Sequence, residues 1–445
     1  MTRETGAFAL LLVALFANLP VAFAQEVPEK ATGAPATVQA VPPANAPDAT
    51  SAAAPPGRIV DGRMESGTAR KIVRVPLYPL IGLGKGLEKG LLALEEHNLR
   101  QKLNYWQYWL QQHHLQPLTG GMGTGTGFAL GIRIFDDDFL HRRIRFEMPL
   151  RYSTNNYQQF GTMLGFSLLR DRKLFLDLAT QYRSRPQEDF FGLGDGSFEN
   201  DRTNYKLQDR NAGAVIGTEI GGRARFDFGV RYTNTNVSGG EDDRFPSTEQ
   251  KFPSLAGLAR GSSLLRYGFS AMYTALDNPL DPKKGFRWRG RFYWVDSLNS
   301  DNFDFYDYGL VADGYVPLGR RRTLAVRLVA DFRQERDAGQ IPFYLLPYLG
   351  GSRTMRGFRE FRFYDANALL VNIEYRHQVW KFVDFVLFTD QGQVAREPGD
   401  FSFERFRTGY GAGLRVKSLR GVALRFDVGR SSEGWRFYFT FSPEF

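Results

Sequence analysis

From Gly120 to the end of this chain apolar and polar residues alternate one by one, and a period of two leaves extended strands with unlike faces as the available structure. Between Thr323 and Arg333, the residues Leu324, Val326, Leu328, Ala330 and Phe332 alternate with Ala325, Arg327, Val329, Asp331 and Arg333. The same pattern sets Leu369, Val371, Ile373 and Tyr375 against Asn372, Glu374 and Arg376, and Val422, Leu424, Phe426 and Val428 against Ala423, Arg425 and Asp427. Strands of soluble sandwiches average about 5–6 residues. These runs last about ten, the length a tilted strand needs to cross a bilayer. The pattern predicts an all-β chain forming a transmembrane antiparallel β-barrel, its apolar side to lipid and its charged side to the lumen.

Counting along the chain, strands are expected at 125–135, 142–154, 157–170, 172–184, 204–219, 222–235, 261–276, 285–297, 303–317, 322–334, 367–377, 381–394, 407–417, 420–429 and 434–443. Short turns such as Gly221-Gly222, Asp281 to Gly285 and Ser418-Leu419-Arg420-Gly421 alternate with long connections at 185–203, 236–260 and 335–366. That asymmetry belongs to short periplasmic turns and long extracellular loops. Both ends of the barrel then lie on the periplasmic side, which demands an even number of strands. Sixteen are expected, with the one not resolved by the pattern near the start.

The chain before the barrel changes character three times. Residues 1–24 join Arg3 to an apolar run from Phe8 to Phe16 and close on Ala22-Phe23-Ala24, the pattern of a signal peptide cleaved before Gln25. Residues 25–57 are rich in Ala, Pro, Thr and Val without periodicity and are expected to be a disordered linker. Residues 58–118 carry Leu80, Leu83, Leu87, Leu91 and Leu94, then Leu99, Leu103, Trp106 and Leu110, at steps of three and four. They are expected to form a short amphipathic helical segment at the membrane interface, capping the barrel mouth or on a periplasmic surface. The barrel domain is expected over 119–445.

Composition narrows the alternatives. A mean hydropathy of −0.35 excludes a helical membrane bundle, while 38 Phe and 20 Tyr suit a sheet with aromatic girdles. Cysteine is absent, so an exported chain of this size must be held by its own hydrogen-bonded sheet. The formal charge of +9 is scattered along an exported chain, which points to anionic lipid heads or a basic lumen and to no nucleic acid.

Several motifs resemble those of a known family. Leu349-Gly350-Gly351-Ser352-Arg353-Thr354-Met355-Arg356-Gly357-Phe358 looks like the GG-x-x-x-[VIM]-RG-[FY] signature of the Omp85 superfamily, the BamA/TamA-like bacterial surface antigen D15 barrels. Val371 to Arg376 is similar to that family's next strand, Phe388-Thr389-Asp390-Gln391-Gly392 to its F-x-D-x-G strand, and Phe190 to Gly194 is a weaker echo. The resemblance implies that Gly350, Gly351, Arg356, Gly357 and Phe358 lie on a loop folded back into the lumen. Strand parity turns Glu374 and Asp390 inward, and a guanidinium inside a barrel needs carboxylates that accept its paired hydrogen bonds. Arg356 is therefore expected to meet Asp390, with Glu374 as a second partner. Trp435, Phe437, Phe439 and Phe441 share one face ahead of Phe445, which resembles the C-terminal insertion signal of bacterial outer-membrane barrels.

What the resemblance implies of function is insertion or translocation of proteins or lipids at the bacterial outer membrane. The implied partners are outer-membrane lipid including lipopolysaccharide, an unfolded outer-membrane or secreted client protein, and the host barrel-assembly machinery that inserts this barrel. One departure stands out: the family's periplasmic POTRA domains have room for one copy at most between Gln25 and Gly120, and that region reads as linker plus helix. A short form lacking them is expected, without the usual docking platform for clients. The competing reading is a passive pore or structural barrel whose basic lumen, including Arg327, Arg333, Arg415 and Lys417, passes small anions.

Catalytic chemistry finds little material. The five histidines, His97, His113, His114, His141 and His377, form no H-E-x-x-H, and no cysteine cluster or calcium loop is present. The glycine run from Gly120 to Gly127 lacks the G-K-[ST] ending of a phosphate loop, and no G-x-S-x-G elbow occurs. A membrane phospholipase would have His377 as its base, but the sequence does not single out a serine for it to activate. No enzyme activity, catalytic residue, metal or cofactor is expected.

Overall fold

A computed structural model describes residues 109–440 apart from 111, 121, 123–125, 141–143, 170–172, 259–260, 300–301 and 419–420. The expected signal peptide, the linker, most of the helical segment, His97, His141, Phe441 and Phe445 lie outside the described residues. The first described residues, Trp109 to His113 without 111, belong to a unit separate from the rest, and there the His113 ring stacks on Trp109 with centroids 4.1 Å apart. All the described strands belong to the other unit.

They are β1 (Leu115–Gly120), β2 (Ala129–Phe139), β3 (Ile144–Ser153), β4 (Gln158–Ser167), β5 (Leu174–Phe190), β6 (Thr203–Ile220), β7 (Ala224–Gly239), β8 (Ser262–Leu276) and β9 (Gly285–Ser297). There follow β10 (Phe305–Pro317), β11 (Arg322–Glu335), the two-residue strands β12 (Tyr348–Leu349) and β13 (Phe363–Tyr364), β14 (Asn367–Trp380), β15 (Val383–Ala395), β16 (Arg407–Ser418), β17 (Gly421–Ser431) and β18 (Gly434–Thr440). Strands β12 and β13 pair with each other inside a loop, and the other sixteen form one antiparallel sheet in chain order. This is the up-and-down meander of a transmembrane β-barrel.

The expected count of sixteen holds, and the strand missing from the sequence pattern is β1. Its six residues, LQPLTG, include Pro117, too short and too interrupted to show alternation, and it begins four residues ahead of the expected barrel start at 119. The first alternating run lies at 129–139 rather than 125–135. The largest difference is β5, expected to stop at 184 and observed to reach Phe190. Its ladder to β6 shifts register between Arg185 and Glu188, and the bulge around Pro186 inverts the alternation, so Arg183 and Arg185 share the lumen face with Glu188 and Phe190. With 17 and 18 residues, β5 and β6 are ~55–60 Å long, so their upper ends stand above a hydrocarbon core of about 30 Å.

The outer wall is apolar. Leu310, Leu328, Leu387, Phe269 and Phe437 are exposed there, as lipid-facing residues are when no lipid is present. The inner wall is a ladder of ion pairs, because each charge taken from water needs a partner. Asp209 receives Arg183 (3.0 Å) and Arg185 (2.8 Å), and Asp313 receives Arg287 and Arg327 (both 2.7 Å). At the periplasmic end the turn between β8 and β9 sends Asp281 and Lys283 across to Lys417 and Asp384, at 3.0 and 3.2 Å.

The extracellular half of the lumen is packed instead with hydrocarbon. Phe190, Tyr205, Leu207, Leu264, Val295 and Phe305 on the wall meet Leu258, Phe303, Ile341, Phe343, Leu346 and Tyr364 from the loops. The loop between β11 and β14 supplies most of that filling and carries the site.

Candidate functional site

The β11–β14 loop is held inside the barrel by two apolar contacts before any charge is considered. Its first stretch puts Phe343 and Leu346 into the upper cluster. Further on, Leu349, Met355, Phe358 and Phe363 pack against Ala368 and Leu370 of β14 and Val394 of β15. Between these contacts the chain turns at Gly350 (φ +119°), where a Cβ would lie 2.1 Å from the carbonyl oxygen of Arg359. Thr354 closes the turn, its hydroxyl accepting from the Gly350 amide (2.9 Å) and donating to the Gly350 carbonyl (2.7 Å).

This geometry delivers Arg356 to the inner wall with 2% of its surface exposed. Its Nε and Nη2 donate to Oδ2 and Oδ1 of Asp390 at 2.8 and 2.7 Å, and its own amide reaches Asp390 Oδ2 at 2.9 Å. Nη1 donates to Glu374 Oε1 at 2.6 Å and lies 3.7 Å from Asp427. The guanidinium carbon lies 3.6 Å from the centre of the Phe388 ring, so one face is stacked while the edge is fully bonded. Asn372, directly opposite Asp390 in the ladder, donates to Asp390 Oδ1 (2.8 Å) and to the Thr354 carbonyl (2.7 Å), tying wall to loop.

The carboxylates have further partners. Glu374 accepts from Arg376 (2.8 Å) and Arg415 (3.1 Å), and Asp427 from Arg415 (2.6 Å) and Arg425 (2.9 Å). Four guanidinium groups thus share three carboxylates in a buried network that spans β14 to β17, with the loop arginine at its centre.

The loop also touches the last strand. Tyr438 of β18 faces inward, accepts from the Gly357 amide (3.1 Å) and donates to the Phe358 carbonyl (2.6 Å). Ser431 donates to the Gly357 carbonyl at 2.7 Å. Gly357 has φ +100°, and a Cβ there would lie 2.8 Å from the Arg430 backbone, so the close approach to β17 depends on glycine.

A second loop closes over the first. From the β5–β6 connection, Ser197 accepts from Arg362 through its hydroxyl and its carbonyl (both 2.7 Å), while Arg362 Nε donates to Glu433 (2.7 Å) in the β17–β18 turn. Glu199 accepts from Arg359 (2.7 Å) and from Arg436 of β18 (2.6 Å). The β5–β6 loop, the lumen loop and the last hairpin are therefore bonded into one clasp.

The residues singled out by sequence fall as follows. Arg356 is brought to both Asp390 and Glu374, with Gly350, Gly351, Gly357 and Phe358 on the loop that carries it. Trp435, Phe437 and Phe439 lie on the outward face of β18, 53%, 78% and 51% exposed, and so take no part in the lumen network. Arg327, Arg333, Arg415 and Lys417, read as a basic lining, are each paired with aspartate or glutamate. Sequence reasoning missed Asn372, Arg425, Asp427 and Tyr438 as parts of the site. Parity gave their inward direction, but not the depth at which the loop would meet them.

Among the described residues no cluster of ligands suited to a metal ion occurs. The family model for the Omp85 superfamily domain matches residues 122–445. No curated protein sequence matches the chain significantly. Among solved structures, BamA from Haemophilus ducreyi lacking POTRA domains 1–3 is similar at a TM-score of 0.59 and 17% identity, over 74% of this chain and 70% of that one. CdiB from Escherichia coli is similar at a TM-score of 0.50 and 14% identity, over 73% of this chain and 61% of that one. The chain thus spans less than two thirds of CdiB, and at these identities the likeness is one of fold.

Proposed function

On the premise that this chain is a bacterial outer-membrane β-barrel belonging to the Omp85 superfamily, we propose that it assists insertion or translocation of proteins or lipids at that membrane. The observation that carries the reading is the docking of the lumen loop onto both the β14–β17 network and Tyr438 of the last strand. A loop bonded to the strand that ends the sheet ties the state of the lumen to the position of that strand. A barrel that only sieves small solutes has no use for such a connection.

Its clients on this reading are unfolded outer-membrane or secreted proteins, with outer-membrane lipid, lipopolysaccharide included, as the surrounding phase. The exposed aromatic face of β18, with Phe441 and Phe445 following in the sequence, acts as the signal through which the host barrel-assembly machinery inserts this barrel. The chemistry is physical rather than catalytic, without cofactor or metal. The competing anion-pore reading is disfavoured by the pairing of Arg327, Arg333, Arg415 and Lys417, each of which has a carboxylate partner on the wall instead of standing free for a passing anion.

The test is insertion of a chaperone-held, unfolded client barrel into liposomes that carry this protein or its Arg356→Ala variant. Acceleration by the wild type that drops in the variant supports the proposal. No acceleration by the wild type, beside a steady ion current, returns the decision to the pore.

A further inference from the structure

The outer wall carries an aromatic belt whose members touch from strand to strand. Trp294 and Phe292 of β9 lie 4.8 Å apart between ring centres, Phe292 meets Tyr308 of β10 at 6.1 Å, and Tyr308 meets Phe332 of β11 at 5.5 Å. The belt resumes on the other side with Tyr410 of β16, 52% exposed, opposite Arg430, whose guanidinium lies over Trp435 of β18 at 5.2 Å. Rings of this kind mark the level of the membrane–water interface.

On β14 and β15 the belt positions hold amides instead. Asn367 is directly opposite Phe332, and Gln393 lies on the same outward face two residues before Ala395, the partner of Asn367. An amide on a lipid-facing wall is costly unless its hydrogen bonds are met. Both are buried, at 2% and 1% exposure, beneath the β15–β16 loop. Asn367 donates to the Arg396 carbonyl (2.8 Å), while Gln393 accepts from the Ser402 amide (3.0 Å) and donates to the Asp400 carbonyl (3.4 Å). The amides hold the loop backbone down against the outside of the barrel.

What the loop brings to that place is aromatic. Phe401 packs edge-on against Phe332 at 6.2 Å, continuing the belt from β11, and Phe403 lies 6.0 Å from Phe406, which leads into β16. Phe403 is 96% exposed, a state that water disfavours and a lipid interface rewards. We propose that residues 396–406 form a membrane foot. In this foot Asn367 and Gln393 grip the backbone, Phe401 seals the loop to the wall, and Phe403 enters the head-group and acyl boundary of the outer leaflet. The partner is the lipid surface, and the foot replaces the belt aromatics that β14 and β15 lack.

The absence of cysteine allows a direct test by single-site spin labelling in lipid vesicles, where an apolar nitroxide introduced through Phe403→Cys stands in for the ring. Leu387→Cys on the lipid-facing wall and Asp337→Cys in an extracellular loop supply the two references. The label at 403 is expected to relax with dissolved oxygen as Leu387 does and to be shielded from a water-soluble nickel chelate. Nickel access equal to that at Asp337 would overturn the foot. In a Gln393→Ala background the same label is expected to shift toward nickel access, with the heat-modifiable migration of a folded barrel unchanged; no shift would remove the amide grip. Neither readout depends on client insertion, so failure here and failure of the proposed function remain separate.

Discussion

Arg356 meets Asp390 and Glu374 through three nitrogens while stacking on Phe388, a fit that uses the planar fork of the guanidinium and leaves lysine a poor substitute. Arg356→Ala leaves Asp390 buried without its main cation, and breaking a buried pair in this way typically costs about 3–5 kcal/mol. A urea titration of the barrel in detergent micelles, followed by heat-modifiable migration, is expected to show that loss, with Arg356→Lys recovering less than half. An unchanged midpoint for Arg356→Ala would mean that the other arginines suffice for the network. Tyr438→Phe is a finer cut: it keeps the ring and strips the hydroxyl between the Gly357 amide and the Phe358 carbonyl. An unpaired buried amide costs about 1–3 kcal/mol, and the same titration reads it. At this scale the sequence was informative about partners and silent about depth. The glycine-flanked Arg356 and the inward parity of Asp390 and Glu374 were legible. The part played by Tyr438 was not, because an inward tyrosine near a chain end looks the same whether or not a loop arrives above it.

Elements behave in the same way. Alternation marked the long strands well because one face is lipid and the other is charged, so each residue reports its side. It failed at β1, whose six residues hold a proline, and at β5, where the bulge between Arg185 and Glu188 exchanges the two faces midway. It also could not show that the β5–β6 loop reaches the lumen loop and the last strand, since Ser197 and Glu199 find Arg362 and Arg436 more than 160 residues away in sequence. The clasp gives a prediction of its own. Arg362, 3% exposed, joins Ser197 to Glu433, and Arg362→Ala is expected to free residues 191–202 while leaving the sheet intact. Limited trypsin digestion of intact cells should then cut at Arg202 in the variant faster than in the wild type. Equal resistance would show that the Glu199 contacts hold the loop alone.

For the whole molecule, the protein's own chain reaches into both ends of the barrel. Hydrocarbon from the loops fills the extracellular half, and the β8–β9 turn reaches across the periplasmic end to Asp384 and Lys417. With loop side chains filling the extracellular half of its lumen, the barrel is expected to pass little steady current in planar bilayers, and the reversal potential under a potassium chloride gradient reads the preference of any current that remains. A large steady conductance favouring chloride would support the pore instead. The net formal charge of +9 suggested a basic lumen, but total charge does not say where each charge is spent. Pairing is a matter of geometry: Arg327 of β11 meets Asp313 of β10, and Arg415 of β16 meets Asp427 of β17, each on the neighbouring strand.

The clasp and the Tyr438 contacts also set an order on how the molecule is made. Bonds joining residues 81 and 237 positions apart close very long loops of chain, and the entropy of closure is recovered only when both partners already stand in place. Arg356 has no complete set of carboxylates until β14, β15 and β17 lie side by side, and no tyrosine until β18 joins them. The lumen loop therefore docks as the closing event of assembly. Until then, the half-built barrel holds an open interior with its Arg–Gly–Phe segment unattached.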